Sequence, residues 1–270
     1  MNNLKTRTVN IAISHEIPYA LFSYHDLIND YPYVLGHLLL QEAKHTRYKV
    51  FYKEKLQTSK FSILDNSAFE LGKSINPAQY LDLIQEYNPT HFILPDTLHN
   101  MEETIKSSIE FLVDFGKSGH QATPIGVLQG NTFEELFKCY ETYTKEGIEY
   151  IAIPFDCIKD SDWHNIRHIF FKEFVKRYDN KAPRVQIHFL GIQNPSELLL
   201  YDKNLLSKIS SIDTSSPIMN GLHEVRFGDF GTNRLKPSIK LADNLDVKVS
   251  FEQHELITYN INKFFEYVNR

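Results

Sequence analysis

The chain has 270 residues, 42% of them hydrophobic and 23% charged, so it can bury a sizeable core and needs no disulfide framework or membrane to fold. Its formal net charge of −5 excludes a general attraction to polyanions, so any binding to nucleic acid has to come from a local patch. The only cysteines, Cys139 and Cys157, form no CxxC pair and are expected to be free thiols in a reducing compartment.

The N-terminal stretch MNNLKTRTVNIAIS has no apolar core of signal-peptide length, and no run approaches the ~18 apolar residues of a membrane span. A soluble cytoplasmic protein, without a membrane partner, is the expectation. Along the chain, "VNIAIS" (9–14) reads as the first strand, and residues 15–60 read as a helical, irregular insertion. Then "FSILD" (61–65), "HFILPD" (91–96), "PIGVLQG" (124–130) and "YIAIPFD" (150–156) follow as short apolar runs. "VQIHFLG" (185–191), "SSIDTSS" (210–216) and "VKVSF" (247–251) complete the set. Between them lie amphipathic segments such as "NPAQYLDLIQEY" (76–87), "NTFEELFKCYETYTKEG" (131–147) and "SELLLYDKNLLSKI" (196–209), and a last helix is predicted over 252–270. Strand alternating with helix is the signature of βα units around a parallel sheet. Eight strand candidates favour an α/β fold of the (β/α)8 barrel type, a single domain over 1–270, with a doubly wound open sheet as the alternative. No GxGxxG or GxxxxGK[ST] loop is present to support nucleotide binding on an open sheet.

In parallel α/β folds the site lies beyond the carboxyl ends of the strands, so the residues after each apolar run matter most. Asp65, Asn66 and Ser67 follow the second run, Asp96 ends the third, and Gln129 and Gly130 end the fourth. Pro154 and Asp156 follow the fifth, and Gly191 and Gln193 the sixth; Asp156 is the weakest candidate because "DCIKDSDW" reads as a capping region. The seventh delivers Asp213, then Thr214, Ser215 and Ser216. Any one of these positions is an ordinary helix cap or turn former. Their recurrence at successive strand ends exceeds what turn chemistry requires.

These motifs resemble those of the tRNA-guanine transglycosylase superfamily, barrel enzymes that exchange a guanine for a 7-deazaguanine. The family pattern Asp-Ser-Gly-Gly-(Phe/Tyr)-Gln resembles Asp65-Asn66-Ser67-Ala68-Phe69-Glu70, and its Gly-x-x-Gln-Gly resembles Gly126-Val127-Leu128-Gln129-Gly130. Its Gly-bearing strand resembles His188-Phe189-Leu190-Gly191-Ile192, and its nucleophile strand resembles Ile212-Asp213-Thr214-Ser215-Ser216-Pro217. The order agrees from about residue 60 to 220. Two isolated cysteines cannot build the family's zinc site of three Cys and a His, and the Pro-Thr-Arg of the nucleophile loop is missing. The resemblance is therefore to a divergent, zinc-less member of phage or DNA-modification type, with DNA, tRNA or a free nucleoside left open as substrate.

By this resemblance Asp213 is the nucleophile and Asp65 the general acid/base of a base exchange through a covalent sugar intermediate. Asn66, Ser67, Asp96, Gln129, Gly130 and Gly191 line the base pocket, with Asp96 accepting from the purine N1–H and 2-amino group and Gln129 donating to O6. The partners implied are a nucleic acid, a free 7-deazaguanine base and, in one variant, a partner subunit; no cofactor or metal is implied. Phosphate contacts are expected from the basic stretch 44–60, Lys53 and Lys55 in particular, or from Arg226, Arg234 and Lys236 beyond the seventh strand. Two other readings stay open: a non-catalytic binding subunit on the same barrel, and a small-molecule nucleosidase or glycosidase with water as acceptor.

Overall fold

A computed structural model describes residues 11–41, 44–159, 166–179, 185–231 and 240–270. In chain order the elements begin with β1 (Ala12–His15), a 3-10 turn (Tyr19–Tyr24), α1 (His25–Ile28), β2 (Tyr33–Leu35), α2 (Gly36–Leu40), α3 (Thr46–Thr58) and β3 (Ile63–Asp65). Then come α4 (Ala68–Leu71), α5 (Pro77–Tyr87), β4 (His91–Ile93), α6 (Met101–Ser118), β5 (Thr123–Val127), α7 (Phe133–Lys145) and β6 (Tyr150–Pro154). The chain continues through α8 (Ile166–Tyr178), β7 (Gln186–Leu190), α9 (Lys203–Leu206), β8 (Ser211–Thr214), α10 (Ser216–Leu222) and α11 (Phe251–Val268).

The strands form one eight-stranded sheet in the order β1-β8-β7-β6-β5-β4-β3-β2, and the fold is a (β/α)8 TIM barrel. The strands are parallel, as in the pairs β1/β8, β2/β3, β3/β4, β4/β5 and β5/β6. They are short and buried along their length, β3 and β6 completely, because a parallel sheet is covered on both faces and needs no alternation. Contacts divide the chain into two compact units, 1–31 with 189–270, and 32–188.

In the unit 32–188, helix signals in the sequence are used as the chemistry of helix ends demands. Asn76 caps α5 ahead of Pro77, Asn100 caps α6, and Thr132 caps α7, each accepting a backbone N–H of the first turn. Tyr80, Phe92, Phe111 and Phe115 pack α5 and α6 against β4, with ring centroids 5.6 Å apart for Tyr80–Phe111 and 4.7 Å for Phe92–Phe115. Among the described residues, no helix is long and apolar enough to cross a membrane.

The supposed insertion at 15–60 contains β2, so it is part of the barrel and not an addition to it. Conversely, the "VKVSF" run is no strand. Val247 and Ser250 precede α11, Ser250 and Gln253 cap each other's backbone N–H reciprocally, and Phe251 is the first helical residue. Two errors of opposite sign left the count of eight intact.

In the unit that holds β1, the edge of β1 not paired with β8 is covered by side chains. Asn29 Oδ1 accepts the His15 N–H at 2.6 Å while its Nδ2 donates to the His15 carbonyl at 3.2 Å. Asp30 Oδ2 accepts the Ile13 N–H at 2.7 Å, and the Asp30 N–H donates to the Ile13 carbonyl at 2.9 Å. A carboxamide and a carboxylate thus stand in for a neighbouring strand. Asn29→Ala leaves the buried His15 N–H and carbonyl unpaired and is expected to cost about 2 kcal/mol. Asp30 is exposed, so Asp30→Ala should cost under about 1 kcal/mol, water replacing the carboxylate. Urea denaturation of both variants measures this; equal losses would overturn the edge-covering account.

Candidate active site

In the unit 32–188 the carboxyl ends of β3, β4 and β5 converge. Asp65 ends β3, with Leu35 of β2 as its register partner, and a Cβ on Gly36 would stand 2.6 Å from the Asp65 carbonyl oxygen. Glycine at 36 is therefore what lets α2 start directly behind the Asp65 turn. The turn itself is built by two side chains that bond forward. Asp65 Oδ2 accepts the Ser67 N–H at 2.8 Å, and Asn66 Oδ1 accepts the Ala68 N–H at 2.8 Å. Ser67 is driven to φ 60° and ψ 27°, a left-handed conformation that costs a non-glycine residue about 1–3 kcal/mol.

Asp96, two residues past Leu94 on the β4 side, is 4% exposed. Asn66 Nδ2 donates to its Oδ1 at 2.7 Å and Gln129 Nε2 donates to its Oδ2 at 2.7 Å. The other polar atoms of both amides are engaged too: Asn66 Nδ2 also donates to the Leu94 carbonyl at 2.6 Å, and Gln129 Oε1 accepts the His99 N–H at 2.8 Å. Ser74 clamps the Asp96 backbone, its Oγ donating to the Asp96 carbonyl and accepting the Asp96 N–H. Burial pushes the Asp96 carboxyl up to about 6, against the two amides, which pull it down. The first glycine of "GVLQG" has a packing cause, since a Cβ on Gly126 would lie 2.7 Å from the Tyr143 ring. Gly130 pairs with Ile158 through its backbone.

Asp65, Asn66, Ser67, Asp96, Gln129 and Gly130 are thus gathered as the strand-end reading requires. Two of them are used differently. The Ser67 hydroxyl accepts the His37 N–H at 3.1 Å and is fully buried, so it ties the turn to α2 instead of facing a ligand. Asn66 is spent on holding Asp96. Asp156 stands 3.6 Å from His99 Nε2, and burial raises its carboxyl while His99 lowers it; the second half of the stretch read as capping, 160–163, lies outside the described residues.

Several residues of this cluster carried no sequence signal. Tyr33 donates its hydroxyl to Asp65 Oδ1 at 2.9 Å. The Tyr80 hydroxyl lies 2.8 Å from the Leu64 carbonyl and 3.0 Å from that of Ile93, bridging β3 and β4 just below the site. His99 takes φ 57° and ties Gln129 to Asn131, whose Nδ2 donates to the His99 carbonyl at 2.8 Å. Arg167 is fully buried and donates to the Ile153 carbonyl at 3.0 Å. In "DTLHN" and "YPYVLG", His99 and Tyr33 look like loop and core.

In the other unit, Asp213 lies in β8 opposite Ser14 of β1, and its Oδ1 accepts the Gly191 N–H at 2.8 Å. Gly191 has φ 69°, which glycine adopts without strain and which aims its N–H at the carboxylate. The segment after Asp213 is stitched to the one after Gly191: Thr214 Oγ1 donates to the Ile192 carbonyl at 2.7 Å and Ser216 Oγ to that of Gln193 at 2.9 Å. Both hydroxyls serve this link, so neither Thr214 nor Ser216 is presented as a nucleophile.

The cations are distributed along α3. Tyr48, in its first turn, accepts the Leu35 N–H at 3.0 Å, so the start of α3 is at the Asp65 end of the strands. Lys53 pairs with Glu86 at 3.1 Å, at the end of α5 that leads into β4. Lys55, a half-turn further on, has its ammonium 5.6 Å from the Phe51 ring centroid. Lys53 and Lys55 therefore stand at the end of this unit away from Asp65, whereas Lys44 and Arg47 are exposed at the near end. Arg226 is exposed, its guanidinium 3.9 Å from the Tyr259 ring centroid. Arg234 and Lys236 lie outside the described residues. Cys139 and Cys157 are buried and form no disulfide, burial pushing the Cys139 thiol up to about 12. Among the described residues no cluster of His, Cys, Asp or Glu is placed to hold a metal ion.

No family model and no curated protein matches this chain. Among solved structures it is similar to the glycerol uptake operon antiterminator regulatory protein from Listeria monocytogenes (strain 4b F2365), with 13% identity and a TM-score of 0.41 over 78% of this chain and 96% of that one.

The Asp96 carboxyl generates a pH dependence of stability whose sign follows from its position. It binds its proton more tightly folded than unfolded, so its contribution is fully present below about pH 4 and is lost as the pH rises to about 6. A displacement of about two pH units corresponds to about 3 kcal/mol. The stability of wild type relative to Asp96→Asn should fall by that order between pH 4 and 6.5 in urea titrations at constant ionic strength. A pH-independent difference would show that Asp96 is not held in this state.

Proposed function

We propose that this protein is a base-exchange glycosyltransferase that replaces guanine in a nucleic acid by a 7-deazaguanine through a covalent aspartyl–sugar intermediate. The observation that carries the reading is the buried Asp96 carboxylate held by two carboxamides at the ends of β3, β4 and β5. Each carboxylate oxygen has two acceptor sites and uses one on an amide, which leaves acceptor capacity for the adjacent N1–H and 2-amino donors of a guanine edge. Desolvated carboxylates with a displaced pKa are found at functional sites more often than elsewhere. The turn supports the reading independently: Ser67 adopts a left-handed conformation at the position where the resembled Asp-Ser-Gly-Gly pattern has glycine.

The roles of Asp213 and Asp65 in this reading are those that the resemblance implies. Asp213 attacks C1′ of the nucleotide, the C1′–N9 bond breaks, and guanine leaves with a proton from Asp65. The incoming base then gives its N9 proton to Asp65, attacks C1′ and displaces the Asp213 carboxylate, so no water or cofactor is consumed. The Gly191 amide holds one oxygen of Asp213, which orients the nucleophile before and after the ester forms. A duplex hides C1′ and the base, so the substrate nucleotide is single-stranded or flipped out. In a chain of net charge −5, Lys44 and Arg47, exposed at the near end of α3, provide the local patch that composition demanded.

The test is incorporation of labelled guanine into DNA and into bulk tRNA. Wild type should label one of the two polymers; Asp213→Asn should not, and Asp65→Asn should be slower by about 10²–10⁴. Folded wild type that labels neither polymer overturns the reading, and labelling by Asp213→Asn removes the nucleophile. Charge reversal at both Lys44 and Arg47 should weaken polymer binding and lower the salt slope by about 2, whereas Lys53→Ala should leave both unchanged. Binding isotherms at several salt concentrations decide between the two ends of α3.

A further inference from the structure

We infer that Tyr33 is a positioning residue for Asp65, fixing its carboxylate and favouring its ionised form. This rests on the acid/base role given to Asp65 above, but the geometry stands by itself. The carboxylate is gripped from both sides, Oδ1 by the Tyr33 hydroxyl at 2.9 Å and Oδ2 by the Ser67 N–H at 2.8 Å. Asp65 is 6% exposed, so these donors replace most of the water an ionised carboxylate would otherwise bind.

The phenol is itself aimed. Tyr33 sits two residue pairs before the Leu35–Asp65 register partners, on β2, paired with Ile63. Its ring lies almost parallel to the imidazole of His188 of β7, with centroids 5.8 Å apart and an interplanar angle of 17°. His188 is fully buried and offers a fixed surface, so the Tyr33 ring has one plane in which to lie. A hydroxyl at the end of a ring held in this way gives directional support that a flexible serine or threonine would not. The acid/base of a two-stage exchange has to lose and regain a proton at one place, and a carboxylate held at both oxygens does so without rotating away between stages.

Ionisable groups near the pair include Tyr80 of α5, which Asp65 and Asp96 both influence, and Asp96 itself beyond Asn66. The Tyr80 hydroxyl is directed at the Leu64 and Ile93 carbonyls and the Asp96 oxygens at the two carboxamides, so removing the Tyr33 hydroxyl removes a separate donor.

The experiment is a ¹³C carboxyl titration of aspartate-labelled protein, with the Asp65 resonance assigned by its loss in Asp65→Asn. Tyr33→Phe keeps the ring and its stacking on His188, so the fold is preserved. It should raise the Asp65 midpoint by about one pH unit, the effect of losing a hydrogen bond to the charged form. In labelled-guanine exchange the acid limb of the pH profile should move up with it while KM for the polymer stays unchanged. An Asp65 midpoint that does not move in Tyr33→Phe overturns the inference, because a tyrosine that only packs would leave it where it is. If wild type exchanges no guanine, the proposed function fails, and the titration still decides on Tyr33.

Discussion

A carboxylate taken out of water has to be held by something, and at Asp96 it is held by neutral dipoles. Asn66 and Gln129 each give one N–H at 2.7 Å. Each amide is locked at its other atoms by backbone from a different segment: Leu94 and Ala68 for Asn66, His99 for Gln129. The three strand ends are therefore spaced by one network that has to be complete, since an unpaired polar group at this depth costs more than a made bond returns. An arginine or lysine in place of the amides would lower the carboxyl by charge pairing and would also occupy the lone pairs. The amides leave it displaced upward and open to further donors, which suits recognition better than stability.

The same preference for short-range dipoles shapes the turn after β3. Asp65 and Asn66 each bond two residues ahead, so the chain reverses within one turn and Ser67 is carried into the left-handed region. The strain is absorbed by contacts on both sides: the His37 N–H on the Ser67 hydroxyl and the absent Cβ of Gly36 under the Asp65 carbonyl. A turn of this kind is rigid because every alternative breaks a buried bond. Rigidity there fixes where the Asp65 oxygens point, and that in turn makes a single phenol on β2 able to reach one of them.

How much of this was legible in the sequence depends on whether the information is local. Asp65, Asp96, Gln129 and Asp213 could be read because each directly follows an apolar run, and the strand-end rule needs nothing else. β2 could not, because "YVL" is three residues long and runs without a break into the apolar helix "GHLLL", so no change of period marks it. "VKVSF" alternates like a strand, but its serine is a helix cap, and capping outweighs four residues of pattern. Tyr33 and His99 are defined by register and by contacts from 30 or more residues away, as with Tyr33–Asp65 and His99–Gln129. No window of sequence contains those. The basic stretch was visible as composition, but where along α3 each cation stands was not. In a βα unit the helix runs back toward the start of the next strand, so cations late in α3 face away from the site that its first turn adjoins.

Each of the three carboxylates has at least one uncharged donor. Asp65 is bonded by a phenol and a peptide N–H, Asp96 by two carboxamides, and Asp213 by the peptide N–H of Gly191. All these donors are uncharged. A donor dipole fixes the direction of a carboxylate while leaving most of its negative charge effective, whereas a bound ammonium or guanidinium would cancel it. Chemistry at an anomeric carbon develops positive charge on the sugar as the base departs, and preorganised negative charge is what stabilises it. Under the proposed function, donors that leave the carboxylate charge in place are the arrangement such a transition state asks for.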